Sequence, residues 1–196
     1  MNGKTHQLMG FASSLAVSTI GHQMGVMPLP ICAAVIAGSC LGSYVPDMDH
    51  PGSTLGRRIA IISHPINLLS KMFMAIHKKT KGKISLKLGE LFAHRGIFHA
   101  PLFWAVVMTA LTMYLPGISN NDAVSGMILG ILIGISIGIG MHLFADMFNP
   151  TGIPLFAPFW NKKFRLGRIV TGSKAEWLVL GVCAVFVVCN VVYILA

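Results

Sequence analysis

The chain has 196 residues, of which 54% are hydrophobic and only 11% charged, with a mean hydropathy of +0.72. Soluble domains are typically about a quarter charged, so this composition excludes an ordinary soluble domain and indicates a membrane protein. The surplus of 15 basic over 6 acidic residues then reads as topology-setting loops touching anionic headgroups, not as nucleic-acid binding.

Five apolar segments follow in chain order: Leu8–Ile20, Met27–Val45, Pro101–Leu115, Ala123–Phe144 and Leu178–Ala196. The fourth and fifth are long enough to span alone, whereas the first and third fall short of ~20 residues and need their more polar flanks. Lys4 ahead of the first segment also fits a signal peptide, but no A-x-A cleavage site follows, so a first span is expected. Cys32, Cys40, Cys183 and Cys189 lie inside apolar runs without CxxC spacing and read as small apolar side chains, not ligands. Gly126, Gly130, Gly134 and Gly138 recur every fourth residue, a spacing that predicts close helix packing.

Every Lys and Arg falls in the N-terminal tail, the loop after the second segment, or the loop after the fourth. The positive-inside rule therefore expects the N-terminus and both long loops in the cytoplasm and the C-terminus in the periplasm. In the loop at residues 52–92, Ile59, Ile62, Ile66, Leu69, Phe73 and Ile76 recur at steps of three or four. That pattern predicts an amphipathic helix on the bilayer surface, with a break near Pro65 as one outcome. Lysines between His77 and Lys87 suit anionic lipid. The expected fold is all-α: one integral-membrane domain over residues 1–196, a polytopic bundle of about five transmembrane helices plus an interfacial helix.

On that topology, acids and histidines collect at one end of the spans. His6 precedes the first; Asp47, Asp49 and His50 follow the second; His94 and His99 precede the third; His142 and Asp146 close the fourth. Carboxylates beside hydrocarbon are costly unless a cation compensates them. His142 and Asp146 are four apart, hence on one helical face. The alternative for this pair alone is a hydrogen-bonded His–Asp contact between helices. Asp47 and Asp49, two apart between Pro46 and Pro51, would point the same way in extended backbone, with His50 joining after the Pro51-Gly52 turn. Taken alone this segment is a proline-framed turn with solvated acids; joined to the other helix ends it reads as ligands. His94 and His99 are five apart and belong to a loop that Gly96 bends, and Arg95 between them reads as an anion clamp or a positive-inside anchor. Glu176 completes a capping box with Ser173 and is left outside the site.

Mixed imidazole and carboxylate donors suit zinc, manganese or iron, and their number allows one or two ions. Such a site would polarise a phosphoester and activate water. Asp49 is the expected general base, and Arg95 the stabiliser of developing negative charge. Its position at the cytoplasmic face suggests an amphiphilic or lipid-linked substrate.

Thr5-His6 with Gly10, PDMDH followed by PGS, HRGIFHA, and HLFADMFNPTGIPLFAP together resemble the YdjM-like family of bacterial inner-membrane proteins. The resemblance runs from His6 to about Trp160. That family is described as membrane-bound metal-dependent hydrolases. The resemblance implies metal ligation by His6, Asp47, His50, His94, His142 and Asp146, with Asp49 and His99 also matching the motifs. A looser analogy to helical zinc phospholipases C and single-strand nucleases favours phosphoesters. Two other classes compete. An ion- or proton-coupled transporter would need polar groups along the depth of the spans. A non-catalytic membrane scaffold would keep only a structural metal.

Overall fold

The computed structural model describes residues 1–195. Helix α1 runs Gly3–Gln23 and is capped by Asn2, whose side chain accepts from Lys4 N at 3.1 Å. Helix α2, Leu29–Gly42, starts with proline in its first turn, where the missing N–H costs nothing. A 3-10 turn over Val45–Asp49 continues it. Helices α3 (Thr54–Arg58), α4 (Ala60–Thr80) and α5 (Lys83–Leu91) fill the long basic loop. Helix α6, Pro101–Tyr114, and helix α7, Asp122–Met147, follow; Asn121 caps α7 by accepting from Ala123 N and Val124 N at 3.0 and 3.2 Å. Helix α8 covers Lys174–Leu195.

Among the described residues, four stretches are long and apolar enough to cross a membrane: Leu29–Asp49, Pro101–Ile118, Asp122–Met147 and Lys174–Ile194. Helix α1 has 21 residues, roughly 31 Å at 1.5 Å per residue, but the polar residues at its two ends (Lys4, His6, Gln7, His22 and Gln23) keep it out of that set. It packs against α2, α7 and α8, and buries Ser14, Ser18 and Thr19 there. These hydroxyls donate to backbone carbonyls of Phe11, Cys32 and Leu15, so they satisfy helix packing and form no relay along the bundle.

The principal helix contact is α2 on α7. Gly38 and Gly42 lie against the carbonyls of Ile131 and Ile135, and Gly134 and Gly138 against those of Val35 and Ser39, closer than any Cβ could fit. The glycine spacing in α7 therefore acts as its periodicity predicts. Trp104, Met108, Leu132, Ile139, Leu143 and Ile153 form the apolar core between α6, α7 and the segment after α7.

Three local features differ from the sequence expectation. The interfacial helix is not broken at Pro65. The break falls at Ile59 (φ −108°, ψ 47°), and α4 then runs through the proline. Its face carrying Ile61, Leu68, Leu69, Met72 and Ile76 is exposed, while Ser63 and Ser70 face inward and donate to Gly56 O and Gly89 O. The bundle also carries a small antiparallel hairpin, β1 (Ile153–Phe156) with β2 (Trp160–Phe164), in which Ile153 pairs with Phe164 and Pro154 with Lys163. Gly152, at φ +63°, turns the chain into it, a conformation glycine adopts without steric cost. Beyond the hairpin, Leu166 N and Ile169 N donate to Met147 O and Phe148 O, both at 2.7 Å, and so satisfy carbonyls at the end of α7. The third difference, the 3-10 turn at Val45–Asp49, bears on the site.

Candidate metal centre

Helix α7 supplies His142 and Asp146 one turn apart, both about 1% exposed. His142 Nδ1 lies 2.7 Å from Ser43 O. A carbonyl only accepts, so Nδ1 carries the proton and Nε2 presents its lone pair inward. This fixing of one imidazole nitrogen by a backbone carbonyl is how metal-ligating histidines are commonly oriented. From the start of α1, His6 stacks on His142 with ring centroids 4.0 Å apart, and its Nε2 stands 3.4 Å from Asp146 Oδ1.

Pro46 begins the 3-10 turn, and three residues per turn throw positions two apart onto different sides. Asp47 and Asp49 consequently diverge, contrary to the extended-backbone expectation. Asp47 Oδ1 approaches His99 Nε2 at 3.3 Å and His142 Nε2 at 3.6 Å. Buried Asp49 instead meets His94 Nδ1 at 3.1 Å. His99 is fully buried in a second 3-10 turn, Ile97–His99. It faces both groups, with Nε2 also 3.4 Å from Asp146 Oδ2.

Three overlapping sets of donors result: His6, His142 and Asp146; Asp47, His99 and His142; Asp49, His94 and His99, the donor atoms of each lying within 4.8 Å of one another. Ligands on a tetrahedral ion with bonds of 2.0–2.1 Å stand about 3.3 Å apart. The His–Asp separations of 3.3–3.6 Å match that spacing. His6 Nδ1, Asp49 Oδ2, both ring nitrogens of His99 and His142 Nε2 are buried without a hydrogen-bond partner. Orphaned polar atoms of this kind are costly, and an ion held by Nε2 of His142 and His99 removes part of the cost. The donor set therefore fits a divalent transition metal. His50 lies outside all three sets: its ring is tilted against His94 at 4.6 Å, and Nδ1 accepts from Gly52 N.

Arg95 has φ +63°, a left-handed conformation costing roughly 1–3 kcal/mol for a non-glycine residue. The bend is thus carried by Arg95, while Gly96 permits close approach to the carbonyls of Leu91, Glu90 and Ala93. The strained residue aims its guanidinium at Asp146, with Nε 3.3 Å from Oδ2, and at Thr151 Oγ1.

Two supporting residues were not anticipated from sequence. Asn149, 2% exposed, donates from Nδ2 to Asp146 Oδ1 at 2.5 Å. Glu176 does more than cap its own helix. Its carboxylate accepts from Gly172 N at 2.6 Å, from Thr5 Oγ1 at 2.8 Å and from Asn2 N, tying α8 to the start of α1 beside His6. The S-x-x-E motif disclosed the cap, and nothing local disclosed the partner helix.

The profile of the family described as "YdjM inner membrane protein" matches residues 1–196. The chain belongs to the YdjM family. Inner membrane protein YdjM of Escherichia coli K12 is 32% identical over 159 residues, covering 78% of this chain and 63% of that protein. Its counterpart from Shigella flexneri matches equally. The uncharacterized protein YvsG of Bacillus subtilis 168 is 26% identical over 180 residues, 92% of this chain and 88% of YvsG. This chain thus spans somewhat under two thirds of the length of the enterobacterial relatives. No solved structure matches it. Family membership and four stretches of spanning length make it a helical membrane protein of the YdjM family.

Proposed function

We propose that this YdjM-family protein is a metal-dependent hydrolase of the inner membrane, acting on a phosphoester or lipid-linked substrate at the cytoplasmic face. One observation carries the reading: imidazole and carboxylate donors from four helix ends, most of them buried and several without a hydrogen-bond partner, converge in sets whose atoms lie within 4.8 Å of one another. His142 joins two sets that would hold an inner ion, one with His6 and Asp146 and one with Asp47 and His99, and Asp49, His94 and His99 would accept a second. Zinc is the favoured metal, with manganese and iron as alternatives. A divalent ion there supplies Lewis-acid polarisation and acidifies water.

The protein's own groups divide the remaining work. Asp49 gives Oδ1 to His94 and leaves Oδ2 unpartnered, which suits it to take the proton of the attacking water. Arg95, partly exposed, offers its remaining N–H groups to the charge that develops on the phosphoryl oxygens. Partly exposed His94 and Asp47 mark the side from which substrate enters. Apart from His22 and Asp122 at the opposite helix ends, the acids and histidines of the spans gather at one end, which supports an enzyme over a transporter, since hydroxyls deeper in the bundle donate to backbone carbonyls.

The test couples elemental analysis of purified protein to a screen of phosphoester and lipid substrates. Wild type should hold at least one equivalent of a transition metal and Asp47→Ala and His142→Ala much less; turnover should vanish with chelator and return with one metal. Equally low metal in all three proteins, or turnover indifferent to chelator, refutes the proposal.

A further inference from the structure

Beside Arg95, a cavity of about 320 Å³ opens between the loop after α5 and the hairpin, lined by Glu90, Arg95, Gly96, Pro154, Asn161 and Lys163. The hairpin register accounts for two of these residues: Lys163 pairs with Pro154, and Asn161 follows Trp160 at the start of β2. From sequence, Lys163 reads as one of many topology-setting cations. The fold instead brings it to the same hollow as Arg95.

The electrostatics of that hollow are unbalanced. Partial burial lowers the pKa of the Lys163 ammonium, Arg95 lowers it further, and Glu90 opposes both. Among the described residues Lys163 makes no ion pair, whereas Glu90 accepts from Asn161 Nδ2 at 3.3 Å. Arg95 donates from Nη1 to Thr151 and from Nη2 to Asp146, while its Nε stands near Asp146 Oδ2 without a hydrogen bond. Of the five donors in a guanidinium, three remain. Asn161 Oδ1 is buried and has no donor facing it. The cavity therefore combines an ammonium without an ion-pair partner, a guanidinium with unused donors and an amide oxygen lacking a donor.

We infer that this cavity is a phosphate-binding subsite, in which Arg95 and Lys163 take the phosphate oxygens and Asn161 accepts from a hydroxyl on the same headgroup. Guanidinium and ammonium on separate elements suit a tetrahedral anion approached from two sides. Arg95 touches the donor cluster through Asp146, so a phosphate held here lies beside the metal centre. The inference rests on the hydrolase reading for its direction, naming a hydroxyl-bearing phosphoester headgroup as the substrate class. Binding itself needs no turnover.

The experiment titrates the full chain in detergent, stripped of metal by chelator, with inorganic phosphate and separately with dihexanoyl phosphatidylglycerol. Calorimetry should show saturable binding of at least one probe. Lys163→Gln should weaken it about tenfold, the loss of one charge-assisted contact. Lys163→Arg should restore it, and Lys162→Gln, altering a neighbour that stacks on Trp160, should leave it unchanged. Tighter binding of the lipid than of phosphate identifies a headgroup as the ligand; the reverse identifies free phosphate and removes the hydroxyl contact. No saturable binding, or equal losses in Lys163→Gln and Lys162→Gln, overturns the inference. Metal content measured on the same preparations before stripping, and after re-addition of metal, separates the two claims. Phosphate binding without any metal uptake by wild type would refute the hydrolase and leave the subsite standing.

Discussion

Replacing Asp146 by Asn keeps the shape of the side chain and removes its charge. Asp146 accepts from Asn149 Nδ2 at 2.5 Å and faces Arg95 Nε at 3.3 Å. Removing one partner of a buried pair costs about 3–5 kcal/mol. Arg95 retains 20% exposure and its contact to Thr151, so the expected loss sits near ~3 kcal/mol. In metal-loaded protein a second term is added. An ion present at a thousand times its dissociation constant stabilises the folded state by about 4 kcal/mol. The variant forfeits that as well, since His6, His142 and His99 all face this carboxylate. The difference between wild type and Asp146→Asn should therefore widen from about 3 to about 7 kcal/mol when metal is supplied. Unfolding followed in detergent with and without chelator, alongside elemental analysis, measures both terms. A variant that keeps the wild-type metal stoichiometry and the same chelator-dependent loss of stability would refute the assignment of Asp146 as a ligand.

The helix interface gives a sharper structural contrast. Gly138→Leu drives a side chain into the backbone of Ser39 and Ser43 and should cost about 1–3 kcal/mol or more, whereas Gly140→Leu meets open space and should stay within ~0.5 kcal/mol. Size-exclusion profiles after graded heating read the difference, and equal behaviour would contradict the packing. For orientation, Gly82→Cys in a background lacking the four native cysteines should resist a membrane-impermeant maleimide in intact cells and react after permeabilisation. Labelling in intact cells would place the basic loop outside.

The helices and their common polar end are legible in the sequence because each depends on local signals: apolar runs, the i, i+4 spacing of His142 and Asp146, and prolines at helix starts. What escaped depends on contacts between distant segments. The hairpin has one strand, Trp160–Phe164, that is polar and largely exposed, so no alternating pattern announces it. Asp47 and Asp49 diverge because Pro46 starts a 3-10 turn where extended backbone was the expectation. Asn149 reads as a helix stop, yet its amide grips Asp146. Glu176 reads as a cap, yet its carboxylate reaches across to Thr5 and the backbone of Asn2. His50, adjacent to two acids in sequence, stands apart from the three donor sets because the chain turns away at Pro51-Gly52.

The glycine seam between α2 and α7 reaches beyond cohesion of the bundle. Main chain rests on main chain at Gly134 and Gly138, which leaves little slack for either rod to slide or roll against the other. Ser43 and His142, one on each rod, are clasped just past the last of these crossings. The imidazole is thus aimed before any cation arrives, and loading and unloading should proceed with little backbone rearrangement.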